Sequence, residues 1–125
     1  MRYPCPCCGH LIFEDAPGSY DFCKICFWAD DDAQLRWPDM DGGANTISLI
    51  DSQRNFASFG AVERGAVEFV RPPSEEEPVE AGWRPIDERD NFEPIGVAEL
   101  DWPSDLTVLY YWRPTFWRVQ QTDPN

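Results

Sequence analysis

Long apolar runs and positive charge are both scarce in this sequence of 125 residues. No window approaches the ~20 consecutive apolar residues that cross a bilayer, and the first thirty residues lack the basic start and apolar run of a secretory signal. Only 10 Lys and Arg residues stand against 23 Asp and Glu residues, which gives a net charge of −13. We therefore expect a soluble, cytoplasmic protein that avoids membranes and nucleic acid and attracts basic partners.

Catalytic signatures are also lacking. His10 is the one histidine of the chain, which excludes any site that needs two. The sequence has no Ser/His/Asp order, no glycine-rich phosphate loop and no H-E-x-x-H motif. Carboxylate pairs such as Glu99 and Asp101 do not stand out among so many acidic residues. We expect a protein that is not an enzyme.

The cysteines point to a metal site. Five cysteines in a reducing compartment do not form a disulfide framework, and an odd number leaves one thiol unpaired. Cys5 and Cys8 form one C-x2-C pair, and Cys23 and Cys26 form a second. Two turns of this kind aim four sulfurs at one point about 2.3 Å from each. The spacing predicts one structural Zn²⁺ ion with these four ligands, and such a closed site leaves no open position for catalysis.

Three neighbours of the first pair need an interpretation. Gly9 allows the positive φ that turns backbone amides toward the thiolates. Cys7 is either a spare, partly exposed thiol or a redox-sensitive group that exchanges with Cys5 or Cys8 as a ligand. His10 is expected on the surface or behind a ligand, because four sulfurs already complete the site.

One helix is predicted in the middle of the chain. From Ser48, the residues Leu49, Phe56 and Phe59 follow a helical period, and Gly60 marks its end. We expect its apolar face to cover the zinc module. The candidate N-caps are Asn45, Thr46 and Ser48, with Asp51 completing a capping box.

The residues from 27 to 45 are expected to form a loop. The consecutive Asp30, Asp31 and Asp32 lack the spacing of a calcium loop, so solvation or helix capping is the preferred interpretation. Asp39 and Asp41 are expected to shape the turn that follows.

The C-terminal part is predicted from composition. Residues 71–82 are rich in Pro and Glu and indicate an extended or mobile linker. Residues 106–113 and 116–120 are rich in strand-forming residues. The expected fold is α+β in a single domain: a zinc-ribbon-like knuckle module (1–44), a helical segment (45–70), the linker (71–82) and aromatic-rich antiparallel strands (83–125).

Acidic and aromatic residues accumulate in the same region. Residues 72–105 hold eleven acidic side chains against Arg84 and Arg89, a balance of −9. This charge either keeps the protein in solution or forms a surface for a basic protein partner. The candidate contacts are Glu75, Glu76, Glu77, Trp83, Trp102 and Trp112.

Several motifs together resemble the bacterial cysteine-rich CPCC family over about residues 3–77. They are "YPCPCCG", "PGSYDFCKICFWADD", "DGGAN", "SLIDSQRNFASFGA" and "VRPPSEEE". The resemblance implies metal binding, and the family's members are similar to the immunity proteins encoded beside bacterial toxins. A cognate toxin is then the most concrete basic partner. The alternative is a zinc- or thiol-responsive regulator in which Cys7 takes part.

Overall fold

The computed structural model describes residues 2–118 and begins with a small antiparallel hairpin. Strand β1 (Tyr3–Pro4) pairs with β2 (Leu11–Phe13), with Tyr3 opposite Phe13 and Pro4 opposite Leu11. The first C-x2-C turn forms the tip of this hairpin. The fold thus contains an N-terminal two-stranded sheet together with helices, and none of the helices among residues 2–118 is long and apolar enough to cross a membrane.

The predicted central helix is confirmed. Helix α2 (Leu49–Phe59) follows Ser48, whose Oγ accepts a hydrogen bond from the Asp51 amide at 3.2 Å. It ends at Gly60, which has φ 88° and donates its N–H to the Phe56 carbonyl. Ser48 is therefore the N-cap, and Asn45 and Thr46 are not. The prediction that Asp51 completes a capping box is wrong, because the Ser48 amide donates to Asp41 Oδ1, at 2.9 Å, and not to the Asp51 side chain.

The buried face of α2 is more polar than its apolar period indicates. Its buried residues are Leu49, Ser52 and Gln53, while Phe56 is only partly buried against the core. Gln53 is satisfied by hydrogen bonds to groups on other segments, so a polar side chain can occupy a core-facing position without loss.

The loop expected before α2 contains a short helix that the sequence pattern does not indicate. Helix α1 (Asp32–Arg36) is capped by Asp31, whose Oδ1 accepts the amides of Ala33 at 2.8 Å and Gln34 at 3.2 Å. The interpretation of the acidic run as a helix cap is therefore confirmed at Asp31. Five residues are too few to display a helical period, which is why the pattern did not reveal the helix.

The strand predicted at residues 106–113 is wrong. Leu106–Leu109 is a 3-10 helix, and Asp105 closes its first turn by accepting hydrogen bonds from the amide and hydroxyl of Thr107. The consecutive residues Leu109, Tyr110 and Tyr111 are all buried, whereas a strand with one solvent-facing side buries alternate residues. The second predicted strand is also wrong where it is described, because Trp117 and Arg118 are helical. Phe116 and Trp117 are buried, and residues 119–120 lie outside the described residues.

The C-terminal aromatics join the same core as the cysteines. Tyr110, Tyr111, Phe116 and Trp117 belong to one buried cluster with Trp28. A second 3-10 helix, Arg64–Phe69, adds Ala66 to that cluster. The described part of the chain therefore has a continuous core that runs from the thiols to residue 117.

Residues 71–82 lie along the N-terminal hairpin. The Leu11 amide donates to the Pro78 carbonyl at 2.9 Å, the Glu80 amide donates to the Gly9 carbonyl at 2.8 Å, and His10 forms an isolated antiparallel bridge with Val79. The segment contains turns at residues 75–76 and 81–82, and between them its backbone is hydrogen-bonded to the hairpin.

The buried side-chain amides of Asn45 and Gln34 close the loop between the second cysteine pair and α2. The Asn45 side chain accepts from the Ala29 amide at 2.8 Å and donates to the Ala29 carbonyl at 2.9 Å, as a partner strand would. Gln34 accepts the Asn45 amide at 3.0 Å and donates to the carbonyls of Met40 and Asn45. Asn45 thus closes the loop through its two hydrogen bonds to Ala29. Its position just before α2 indicated only a candidate N-cap.

Asp30 lies within this closed loop and is 3% exposed. Ser19 donates a hydrogen bond to Asp30 Oδ2 at 2.7 Å. Burial, which disfavours the carboxylate, raises the pKa of Asp30 from 3.8 to about 6. Between about pH 4 and pH 6, therefore, Asp30 keeps its proton in the folded protein but loses it in the unfolded chain.

We predict a pH-dependent effect of Asp30→Asn. Protonated Asp30 contributes to the free energy of unfolding. This contribution is fully present below about pH 4 and is lost as the pH rises through 6, by up to about 3 kcal/mol. Asparagine cannot ionise and keeps an acceptor for Ser19. The stability of the wild type relative to Asp30→Asn should therefore fall between pH 4 and 7 in urea unfolding of the metal-loaded protein. Asp39→Asn, at an exposed position, is the control; a pH-independent difference at Asp30 would contradict this account.

Candidate metal centre

The first C-x2-C turn, the first knuckle, comprises residues 5–10. The Gly9 amide donates to the Cys5 carbonyl at 2.6 Å, and the Cys5 amide donates to the His10 carbonyl at 2.9 Å. Gly9 has φ 82°, in the left-handed region, as the sequence predicts. The turn directs Cys5 and Cys8 inward, and both are buried.

The second C-x2-C turn, the second knuckle, comprises residues 23–28 and repeats the same pattern. The Phe27 amide donates to the Cys23 carbonyl at 2.7 Å, and the Cys23 amide donates to the Trp28 carbonyl at 2.8 Å. An antiparallel bridge between Phe22 and Ala29 flanks this turn, just as the pairing of Pro4 with Leu11 flanks the first. Two equivalent turns therefore present two cysteines each.

The four sulfurs meet between the knuckles. Cys5 Sγ lies 3.6 Å from Cys26 Sγ, Cys8 Sγ lies 3.8 Å from Cys23 Sγ, and all four sulfurs lie within 4.8 Å of one another. A tetrahedron with bonds of about 2.3 Å has edges of about 3.8 Å. Both short contacts join one knuckle to the other. The four cysteines predicted as ligands are thus brought together and could hold one metal ion.

The thiols differ in their acidity. Burial raises the pKa of Cys5 and of Cys26. Burial acts in the same direction on Cys23, but hydrogen bonds from the other three sulfurs lower its pKa overall. The Ile25 amide also donates to Cys23 Sγ at 3.4 Å. Cys23 is therefore the sulfur that this environment stabilises as a thiolate, and a bound cation would favour the thiolate form of all four.

Trp83 covers the first knuckle. A Cβ atom on Gly9 would lie 2.5 to 2.8 Å from three ring atoms of Trp83, and Trp83 Nε1 donates to the Pro6 carbonyl at 3.2 Å. Gly9 is thus required twice, for its positive φ and for the close approach of the ring. The sequence revealed the first requirement only, because the second depends on a residue distant in the chain.

The second knuckle achieves the same left-handed turn without glycine. Phe27 has φ 74°, which costs a non-glycine residue about 1–2 kcal/mol. Its ring stacks on Phe22 at 4.7 Å and on Phe69 at 5.6 Å between ring centroids. These contacts offset the backbone strain. Because position 27 carries phenylalanine, no glycine in the sequence indicates this turn.

Gln53 connects α2 to the first knuckle. Its Nε2 donates to the Pro6 carbonyl and to the Tyr111 hydroxyl, both at 2.9 Å, and its Oε1 accepts the Ile86 amide at 2.9 Å. The helix does contact the cysteine module as predicted, but through a polar side chain. Nothing in an apolar period indicates such a residue.

Cys7 and His10 lie outside the group of four sulfurs. Cys7 is 1% exposed, so the expectation of a partly exposed thiol is wrong. Pro6 and Cys7 are enclosed by the core, and burial raises the pKa of the Cys7 thiol. His10 is half-buried, and its Nδ1 lies 2.6 Å from the Glu77 carbonyl oxygen.

Three of the six candidate partner contacts are engaged within the chain. Glu77 is buried and accepts from Arg71 at 2.8 and 2.9 Å, which lowers the pKa of Glu77 to about 2. Trp83 lies on the first knuckle, and Trp112 Nε1 donates to Glu80 at 2.6 Å. The other three, Glu75, Glu76 and Trp102, are exposed.

We predict that Gly9→Ala is much more costly than Gly82→Ala. Gly82 has a similar φ of 89° but nothing within 4 Å of an added Cβ, so its substitution measures backbone strain of about 1–2 kcal/mol alone. Gly9→Ala adds the clash with Trp83, an overpacking cost of about 1–3 kcal/mol. Urea unfolding of the metal-loaded proteins measures both, and Trp83→Ala should reduce the excess cost at Gly9. Equal costs at the two glycines would show that the ring does not constrain the knuckle.

Comparison with known proteins identifies the family of the chain. No curated protein matches the chain. The family model described as "Cysteine-rich CPCC" matches residues 3–77, a span that contains both knuckles and α2. The chain belongs to the cysteine-rich CPCC family.

Proposed function

We propose that this protein is a non-enzymatic, zinc-binding interaction protein that binds a basic protein partner. The observation that supports zinc most directly is the pair of inter-knuckle sulfur contacts, 3.6 and 3.8 Å, which match the edges of a tetrahedral thiolate site. Iron also accepts four thiolates. We favour zinc because it has no redox chemistry, which suits an ion whose role is to hold two turns together.

The structural role of the ion follows from the smallness of the N-terminal module. Its strands have two and three residues, and a sheet of this size is not stable alone in water. A metal that joins the knuckles supplies apparent binding free energy of about 10–16 kcal/mol in small zinc modules. With all four positions of a tetrahedral zinc taken by sulfur, no position is left for water or substrate, so the proposal includes no catalytic step.

A basic partner is supported by charge. The chain carries −13 overall, and a field of this sign steers cationic proteins and raises association rates by about 10- to 1,000-fold. Neutralisation of a cognate toxin, the role of an immunity protein, is the most concrete function of this kind, and it rests on the family resemblance.

The alternative, a zinc- or thiol-responsive regulator, depends on Cys7. A sensor thiol has to be accessible to the oxidant and to ionise readily. Cys7 is buried and its pKa is raised, so these features favour a structural thiol.

We predict that Cys26→Ser removes the metal and unfolds the N-terminal module, whereas Cys7→Ala preserves both. Native mass spectrometry of the purified chain should give one zinc per wild-type and per Cys7→Ala molecule and none for Cys26→Ser. The circular-dichroism melt should lose its cooperative transition in Cys26→Ser, or in wild type treated with a strong chelator, because the ion's contribution is comparable to the whole stability of a typical domain.

A Cys26→Ser protein with unchanged metal content and melting would contradict the structural site. Iron in place of zinc in the wild type would overturn the choice of metal and keep the site. Loss of metal in Cys7→Ala would make Cys7 a ligand and favour the regulatory alternative.

A further inference from the structure

The segment from residue 93 to residue 105, here called the 93–105 loop, exposes an unusual number of apolar side chains. Four of the nine large hydrophobic residues that are exposed among the described residues lie within it, and each is 37% to 55% exposed. They are Ile95, Val97, Leu100 and Trp102. Such concentration of apolar surface, in contrast to single scattered residues, marks a candidate binding site.

Buried polar groups fix the backbone of this loop. Arg36, whose side chain is fully buried, donates to Glu93 from Nε at 2.7 Å and from Nη2 at 3.0 Å. Arg36 Nη2 also donates to the Leu100 carbonyl at 2.6 Å, and Trp37 Nε1 donates to the Val97 carbonyl at 3.0 Å. The carbonyls of Leu100 and Val97 therefore point toward the protein, while the side chains of Ile95 and Val97 remain about half exposed.

The cost of the buried ion pair supports a role in positioning. Removing two charges from water is expensive, so a pair like Arg36 and Glu93 is a weak source of stability but can specify one conformation. The guanidinium also lies 4.7 to 4.8 Å from the ring centroids of Trp37, Trp102 and Trp117. A surface held in one conformation before binding loses less conformational entropy when a partner docks.

The charge of the 93–105 loop selects the partner. It contains no Lys or Arg, and its acidic residues besides the paired Glu93 are Glu99, Asp101 and Asp105. Within residues 2–118, Asp101 and Asp105 form no ion pair, whereas Glu99 contacts Arg118 at 3.0 Å. Carboxylates around an apolar centre attract lysine and arginine, and they repel nucleic acid and a second copy of this acidic chain.

We propose that the 93–105 loop is the docking surface for the basic partner, and that this partner presents an amphipathic segment of apolar and cationic side chains. The proposal rests on the proposed function. The partner's apolar side chains would lie against Ile95, Val97 and Trp102. The partner's cationic side chains would lie against Asp101 and the other acidic residues of the loop. Of the acidic and aromatic residues singled out from the sequence, Trp102 belongs to this surface, whereas Glu77, Trp83 and Trp112 serve the chain's own packing.

The test compares two double variants that remove similar exposed apolar side chains. Ile95→Ser with Val97→Ser alters the 93–105 loop, and Val67→Ser with Val79→Ser, at 44% and 46% exposure, is the matched control elsewhere. The probe is a synthetic amphipathic peptide of lysine and leucine, and oligolysine of equal charge is its control. Calorimetric titration of the metal-loaded full chain at low salt should show affinity for the lysine–leucine peptide reduced roughly tenfold in the loop variant only. Oligolysine should bind all three proteins weakly and alike.

Each result has a separate meaning. If the loop variant binds the lysine–leucine peptide as tightly as the wild type, the docking surface is wrong, while the proposed function stands. If neither peptide binds the wild type, the basic-partner function fails as well. If sedimentation shows wild-type dimers that the loop variant lacks, a second copy occupies the surface and the proposal is overturned.

Discussion

Sulfur contacts between two short turns are the interaction on which the rest of the structure depends. Neither knuckle has enough apolar residues to form a core, yet their cysteines approach to 3.6 and 3.8 Å across the space between them. Thiolates at such distances repel each other unless a cation lies among them, and a cation at that point contacts both turns at once. In the proposed metal site, four metal–sulfur bonds would give the N-terminal thirty residues a fixed shape.

The remaining segments pack on the two knuckles. Trp83 and Gln53 bind the Pro6 carbonyl of the first knuckle, and Asn45 pairs with the backbone just after the second. These contacts hold α2, Trp83 and the loop that contains Asn45 against the two knuckles. The C-terminal aromatics complete the same core. Trp83, within the acidic region, is consequently held against the first knuckle.

The sequence predicted the features that depend on residues close together in the chain. The two C-x2-C pairs, the positive φ of Gly9 and the limits of α2 at Ser48 and Gly60 all follow from local chemistry. The features it did not predict depend on distant partners. Arg36 and Glu93 are 57 residues apart, and the residues next to each in the sequence do not indicate that it is buried. The residues from 106 to 113 have strand-forming side chains, but tertiary packing and the Asp105 turn make them a 3-10 helix and turns.

We expect metal binding to be a condition for folding and surface charge to select the partner. The dependence on metal can be tested by X-ray absorption spectroscopy at the metal edge, on the chain purified without added metal. We expect one zinc ion per chain with a single shell of four sulfurs at about 2.3 Å. A shell that contains nitrogen or oxygen ligands, or a correctly folded chain with no bound metal, would contradict this expectation.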